Sequence, residues 1–274
     1  MRGCACRGTA GFVHLSCLAE QAKILVAEGL ENNLAFDERW DRWHMCSLCE
    51  QRYHGVVKWA LGWACWKTYL SRPEGDTLQF SAMRLLGNGL SEAEHHQDAL
   101  NVRVAELAMR RRLGDSEHNM LSTQTNLACS YQDVGRHEEA LRLRRDEYSG
   151  RLRLDGEEHV ETLRAASNYA NSLNHLHCFE EAKKLFLKTL PVARRIVGDS
   201  HELTLKMRWI NAMALYKADG ATLGDLREAV TTLEDSERIA RRVMGGAHPL
   251  TGALEEHLRD AQVVLHFREA NGEA

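Results

Sequence analysis

Cysteine and histidine residues near the start of this chain have the separations that zinc modules use. The pattern reads Cys-x-Cys-x7-His-x2-Cys-x28-Cys-x2-Cys and is formed by Cys4, Cys6, His14, Cys17, Cys46 and Cys49. Thiolates and imidazoles at such spacing can converge on one Zn2+, and metal binding then contributes folding energy. The spacing predicts that Zn2+ stabilises the front of the chain.

Composition places the chain among globular proteins of a reducing compartment. It has 274 residues, of which 44% are hydrophobic and 27% charged, with a formal net charge of −4. This charge, without a basic run interleaved with aromatic residues, argues against nucleic-acid binding. No apolar run reaches the roughly 20 residues that span a bilayer. No secretory signal precedes the cysteines, so we expect a cytoplasmic protein, with the nucleus left open.

The two cysteine segments together resemble the RING-CH-type zinc finger. The matching features are the Cys-x-Cys, a Gly-Thr step, the Val-His-x-x-Cys and the later Cys-x-x-Cys. In that family eight ligands hold two zinc ions, and the resemblance implies that one ion is shared by Cys4, Cys6, Cys46 and Cys49. Many members are ubiquitin ligases that dock a charged conjugating enzyme without a covalent intermediate. The resemblance therefore implies a structural metal and no catalytic nucleophile.

The sequence departs from the RING-CH pattern in ways that leave ligase activity open. The second zinc of the family would combine His14 and Cys17 with two further ligands upstream of Cys4, where this sequence has no cysteine. Either an upstream Cys-x-x-Cys precedes the sequence given, or the module holds a single zinc ion. The segment after Cys17 also lacks the tryptophan that often docks the conjugating enzyme, and no proline flanks Cys46 or Cys49.

A tryptophan-rich segment follows the second cysteine pair. Trp59, Trp63 and Trp66 are spaced i, i+4 and i+7, which is typical of one helix face. Pro73 and Gly75 then mark the end of that helix. We expect an incomplete RING-CH-like module at 1–55, a connecting helix and linker at 56–79, and a repeat domain with a C-terminal capping helix at 80–274.

Beyond residue 80 the sequence repeats with a period close to 42 residues. Arginine-rich apolar turns are each followed by a glycine, as at helix C-termini, at Gly114, Gly156, Gly198 and Gly245. Small residues recur with a similar period in two sets, namely Gly87, Ala128, Ala170 and Ala212, and Ala99, Ala140, Ala182 and Ala229. Small residues let paired helices approach closely, so we predict an all-α solenoid of stacked helix pairs.

Phrases within these units resemble tetratricopeptide repeats of the kinesin-light-chain type, over about residues 80–265. They include Asn-Leu-Ala-Cys-Ser-Tyr from Asn126, Glu-Glu-Ala from Glu180 and His-Pro-Leu-Thr from His248. Stacked HEAT-like pairs have a similar period and are the alternative. The resemblance implies a concave groove that binds peptides or protein segments and is lined by the first helix of each pair.

Counting from the small residues places a set of polar side chains on or near that groove. The candidates are Asn88, Asn126, Asn168, Asn171, Asn174, Arg164 and Lys206, with Arg84 and Lys217 as cationic neighbours. Asparagine side chains can hydrogen-bond a peptide backbone, and the cations can hold acidic groups. Four histidines also recur, but equivalent positions lie about 10 Å apart, which is too far to share a metal; they are expected to be turn residues, at His118, His159, His201 and His248.

Together these features predict a zinc-binding interaction adaptor of the ubiquitin-ligase type. Its repeats would bind a protein client, and its RING-CH-like module would recruit a ubiquitin-conjugating enzyme. The alternative is a non-enzymatic tetratricopeptide scaffold whose zinc module is only structural. No Walker loop, Gly-x-Ser-x-Gly or His-Glu-x-x-His sequence is present, so Zn2+ is the one cofactor expected.

Overall fold

Helices form most of residues 14–272, the part of the chain that this computed structural model describes. Within that range, extended pairing is limited to one antiparallel bridge between Met45 and Arg52. The predicted all-α class is thereby confirmed for the described residues. The chain divides after Arg136 into two compact units. None of the helices between residues 14 and 272 has both the length and the apolar character of a membrane span.

The first unit contains six α-helices and one 3-10 turn within its described residues. They are α1 (Leu15–Glu31), α2 (Phe36–Trp40), the 3-10 turn (Asp41–Trp43), α3 (Gly55–Tyr69), α4 (Thr77–Glu92), α5 (His96–Arg112) and α6 (Glu117–Asp133). From α3 onward each helix packs on the next. Gly89 allows a close approach of α3 and α4, because a Cβ there would lie 3.0 Å from the Cα of Trp59.

Aromatic residues form the core around α1, α2 and α3. Trp40 and Trp43 are buried, with ring centroids 5.6 and 5.9 Å from that of Tyr69. Cys65 is buried in the same cluster, and this burial raises the pKa of its thiol. The tryptophan-rich helix predicted after the cysteines is α3, in which Trp59 and Trp66 pack against the α4–α5 core.

The second unit is a run of six helices. They are α7 (His137–Asp155), α8 (Val160–His175), α9 (Phe179–Val197), α10 (Glu202–Tyr216), α11 (Leu223–Met244) and α12 (Pro249–Ala270). Each packs on its sequence neighbour through a short turn, and α10 also contacts α8 and α12. Helices α8, α10 and α12 therefore lie side by side, as the first helices of stacked pairs do.

The periodic small residues are buried positions of their helices. Every member of both predicted sets is buried, and the seven alanines have no measurable exposure. Because a side chain larger than methyl would separate the packed backbones, these positions explain the repeat of small residues. The sequence therefore predicted correctly which small residues of each repeat are buried.

The repeated glycines and histidines mark helix boundaries. Helices α9 and α11 end at Gly198 and Gly245, whose φ angles of 91° and 87° are accessible to glycine without strain. Helices α8, α10 and α12 each begin after a histidine whose Nδ1 accepts a hydrogen bond from the second following backbone N–H, at 3.1–3.2 Å: His159, His201 and His248. His118 differs, since it lies inside α6, which is capped by Ser116.

Candidate functional site

The first helices of the pairs in the second unit have one face that the core does not cover. On α8 the uncovered side chains are spaced by four, three and four residues, which places them on one side of the helix. All are exposed or half-buried: Arg164, Asn168, Asn171 and His175. The equivalent positions of α10, 42 residues later, are Lys206, Ile210, Met213 and Lys217, of which Ile210 is buried.

A cleft of about 480 Å3 opens where these two faces end. Asn171 and His175 of α8 line one side, and Met213 and Lys217 of α10 line the other. Its floor includes the buried rings of Phe179 and Tyr216, and Val264 of α12 contributes an apolar edge; His177 and Asn174 complete the lining. A concave surface with an apolar floor and a few polar groups is typical of a ligand-binding site.

The electrostatics of the cleft leave Lys217 as its cation at neutral pH. Burial lowers the pKa of His175, and the neighbouring His137 and Lys217 lower it further. The rings of His137 and His175 are stacked, with centroids 5.7 Å apart. The pKa of His257 is also lowered, mainly by burial and to a smaller extent by the charge of Lys217. The Nδ1 atom of His257 is hydrogen-bonded to the Tyr216 hydroxyl at 2.7 Å. His175 and His257 are therefore mainly neutral at pH 7, and the positive charge that would attract an acidic ligand group comes from Lys217.

The predicted groove residues of the second unit lie in different environments. Asn168 and Asn171 are half-buried on the uncovered face of α8, and Lys206 is half-buried on α10. Asn174 is buried, and its amide donates to the backbone carbonyl of Ile210 at 2.9 Å, so it ties α8 to α10. Arg164 is exposed and forms an ion pair with Glu161 at 3.3 Å.

The predicted groove residues of the first unit surround a buried arginine. Arg103 of α5 donates to the side-chain oxygen of Asn88 at 2.9 Å and to the backbone carbonyl of Asn126 at 2.6 Å. A third bond, of 2.7 Å, reaches the hydroxyl of Ser130. Burial lowers the pKa of Arg103. These bonds join α5 to α4 and α6, so the side-chain oxygen of Asn88 contributes to the packing of the repeat.

The sequence analysis did not predict that charged side chains of α5 and α7 are buried. A repeated Arg-x-x-Glu-x-x-x-Arg motif could have indicated it. The motif occurs at 103–110 and again 41 residues later at 144–151, and its charged members are buried or nearly so. Glu106 pairs with Arg110 at 2.9 Å, and Glu147 pairs with Arg144 at 3.0 Å. Two later repeats replace the first arginine of the motif by Phe186 and Leu233, which are buried in apolar clusters.

The predicted zinc ligands are only partly within the described residues. Cys46 is buried and Cys49 half-buried in a turn closed by a 2.9 Å bond from the Cys46 amide to the Gln51 carbonyl. His14 and Cys17 are exposed at the start of α1, whereas Cys4 and Cys6 lie outside residues 14–272. Within those residues, no three His, Cys, Asp or Glu side chains are grouped as metal ligands would be. The RING-CH zinc module is not shown, and the site of Cys4, Cys6, Cys46 and Cys49 stays a prediction.

The described helices are those of an α-helical repeat protein, and sequence comparison identifies the kind of repeat. The tetratricopeptide-repeat family model matches residues 120–146 and 162–202. A comparison with curated proteins finds no match. These matched segments favour tetratricopeptide-like units over the HEAT-like alternative.

Solved structures with similar folds include TPR-like repeats of the kinesin-light-chain kind. A Podosopora anserina protein of the kinesin-light-chain kind, with nearly identical TPR-like repeats, aligns with a TM-score of 0.58 and 18% identity, covering 85% of this chain and 99% of that one. BtubC (BKLC) from P. vanneervenii aligns with a TM-score of 0.50 and 12% identity, covering 96% and 94%. A Rap protein complexed with Competence and Sporulation Factor aligns with a TM-score of 0.53 and 13% identity, covering 91% and 66%. At these identities the likeness concerns the fold, and the chain contains TPR-like repeats similar to those of kinesin light chains.

Proposed function

We propose that this protein binds a peptide or a protein segment through the uncovered faces of α8 and α10. The observation that carries the proposal is the cleft in which Asn171, His175 and Lys217 border an apolar floor. Further support comes from the Rap protein, a fold relative whose structure contains a bound factor. Helical repeats of this class are suited to protein binding because their first helices form an extended surface.

The chemistry of the cleft favours a client with an acidic group beside an apolar side chain. Lys217 is exposed and can pair with a carboxylate, while the half-buried Met213 and the buried Phe179 accept apolar surface. The Asn171 amide can both donate to and accept from an extended peptide backbone. These three requirements together define the peptide class to be tested.

Binding is tested by selecting peptides with the complete chain from a displayed library and measuring affinities by fluorescence anisotropy. We expect Lys217→Gln and Asn171→Ala each to lower the affinity for a selected acidic–apolar peptide by about threefold to tenfold, since each removes a polar contact. Lys188→Gln is the matched control, because Lys188 is an exposed lysine of α9 outside the cleft. If the wild type and the three variants bind the peptide with equal affinity, the ligand occupies another surface.

For the role of this peptide binding, we propose an adaptor of the ubiquitin-ligase type in the cytoplasm. Cys4, Cys6, Cys46 and Cys49 would hold Zn2+, which supplies structural stability, and the RING-CH-like module would recruit a ubiquitin-conjugating enzyme. The closed turn that carries Cys46 and Cys49 supports this proposal, as does the spacing of the cysteines. The alternative, a tetratricopeptide scaffold with a purely structural zinc module, has the same support.

Ubiquitination assays with a panel of conjugating enzymes distinguish the adaptor from the scaffold. An adaptor of the ligase type gives zinc-dependent autoubiquitination that Cys46→Ser abolishes. A scaffold binds the selected peptide with unchanged affinity and shows no ubiquitin transfer with any member of the panel. Client binding and ubiquitin transfer are thus measured independently.

A further inference from the structure

A second cavity, in the first unit, has a strongly basic wall. It encloses about 320 Å3 between α4 and the segment that runs from Trp40 into α3. Its lining includes three cationic side chains together with a histidine, a tyrosine and two neutral polar side chains: Arg52, Lys58, Arg84, His44, Tyr53, Ser81 and Asn88. No acidic side chain is among its lining residues, although the chain as a whole has a net charge of −4. The cavity wall is therefore positively charged although the chain as a whole is negatively charged.

Lys58 and His44 already have acidic partners next to the cavity. Lys58 donates to a carboxylate oxygen of Glu92, whose other oxygen accepts from the Gly55 amide at 2.7 Å. Burial by itself would raise the pKa of Glu92, but these hydrogen bonds outweigh it and the pKa is lowered. His44 lies 3.3 Å from a carboxylate oxygen of Asp41. Lys58 and His44 are thereby held in place at the wall.

The other two basic groups, Arg52 and Arg84, have no such compensation. Both are exposed, and across residues 14–272 neither guanidinium forms an ion pair. They come from different segments, since Arg52 follows the Cys46–Cys49 turn and Arg84 lies on α4. Two guanidiniums without counter-ions that share one cavity repel each other, and an anion between them would remove that repulsion.

Neutral donors are available at the same wall. The Asn88 side-chain oxygen accepts a hydrogen bond from Arg103, which leaves the NH2 group of Asn88 as the donor for a ligand. The Ser81 hydroxyl, on a residue that is 9% exposed, is a second donor. The wall thus combines cations from three segments with amide and hydroxyl donors from α4.

We propose that this cavity binds a phosphate group. Guanidinium forks match the oxygens of phosphate in pairs, and a phosphate carries more charge and more acceptor oxygens than a single carboxylate. Arg52 and Arg84 clamp the group from two sides, with Asn88 and Ser81 completing the shell. Two sources share this chemistry, namely a small free phosphate ester and a phosphorylated side chain of a peptide.

Calorimetric titration of the complete chain tests the site with inorganic phosphate and with a phosphoserine peptide beside its unphosphorylated twin. We expect Arg84→Gln and Arg52→Gln each to weaken phosphate binding by about tenfold or more. Arg238→Gln, a matched change at a residue of the second unit that pairs with Asp235, leaves it unchanged. Glu92→Gln keeps an acceptor for the Gly55 amide but frees Lys58, so it tightens binding by about two- to fivefold.

The outcomes separate the site from its alternatives. A phosphopeptide that binds more tightly than both its twin and inorganic phosphate supports the site and assigns it to a phosphorylated protein. Equal affinity for the phosphopeptide and inorganic phosphate supports the site and assigns it to a free ester. Phosphate binding that survives both arginine changes in chains that melt as the wild type does, or no phosphate binding at all, overturns the proposal.

Discussion

The side-chain amide of Asn174 donates a 2.9 Å hydrogen bond to the backbone carbonyl oxygen of Ile210. This bond joins α8 to α10 inside the second unit, and Asn174 is only 7% exposed. Asn171, one helical turn earlier, is half-buried at the cleft instead. Two asparagines three residues apart therefore have separable effects, one on stability and one on binding.

Asn174→Ala is expected to destabilise the second unit by about 1 kcal/mol, because it removes a buried hydrogen bond between neighbouring helices. The melting temperature measured by calorimetry should fall accordingly. Asn171→Ala is the matched control, since it removes the same amide from a half-buried position. A larger loss of stability for Asn171→Ala than for Asn174→Ala would show that the assignment of the two residues is reversed.

Arg103→Ala is expected to destabilise the first unit by about 3 kcal/mol, because it removes a buried side chain and leaves acceptors on the half-buried Asn88 and Asn126 and on the buried Ser130 without their donor. Calorimetry should show the change in the transition of that unit. Arg111→Ala, an exposed arginine of the same helix, should cost far less. Similar losses for the two variants would mean that the Arg103 hydrogen bonds contribute little.

The second unit should lose stability as the pH falls below about 6.5. Burial and Lys217 lower the pKa of His257 from its ordinary value of 6.5, so the unfolded chain binds protons first as the medium is acidified. Stability is complete above that pH, declines below it, and levels off below the folded-state pKa.

This pH dependence is measured by thermal melting at several pH values between about 8 and 5. His257→Gln should flatten the decline, because the substituted side chain does not titrate. Part of the decline should persist in that variant, since the pKa of His175 is lowered as well. An unchanged profile in His257→Gln would assign the whole decline to other groups.

His201→Ala is expected to cost about 1 kcal/mol, the usual effect of losing a side chain that caps a helix N-terminus. The Nδ1 atom of His201 accepts from the Leu203 amide at 3.1 Å. Asparagine is also a good N-cap residue, so His201→Asn should retain most of the stability. Chemical denaturation of both variants checks the cap, and equal losses would exclude this role for the imidazole.

Cys46→Ser is expected to abolish zinc binding and to unfold the segment before about residue 55 while the repeats stay helical, because structural zinc contributes folding energy. Elemental analysis gives the zinc content and circular dichroism the helicity. Cys129→Ser is the control, since Cys129 is an exposed cysteine of α6 far along the chain from the pattern. Zinc content that Cys46→Ser leaves unchanged would contradict the ligand assignment.

Much of the repeat architecture was predictable because its signals are local. The glycines that end α9 and α11 and the buried alanines, such as Ala128 and Ala170, recur with the repeat period. Each such position needs one small or flexible residue to close a turn or a helix contact. The predicted zinc site differs, because half of its proposed ligands lie before residue 14, outside the described structure.

By itself the sequence determined the helical class, the repeat period and the register of the buried small residues, since backbone geometry and close packing restrict those positions to few residue types. Only the tertiary structure decided which polar side chains are available to a ligand. Asn174 and Asn171 have the same side chain. The amide of Asn174 donates to the Ile210 carbonyl, whereas Asn171 lines the cleft. Likewise, Arg52 and Arg84 are 32 residues apart in sequence and share a cavity only because the segment before α3 folds against α4. Such relationships depend on contacts between distant segments, which no local pattern encodes.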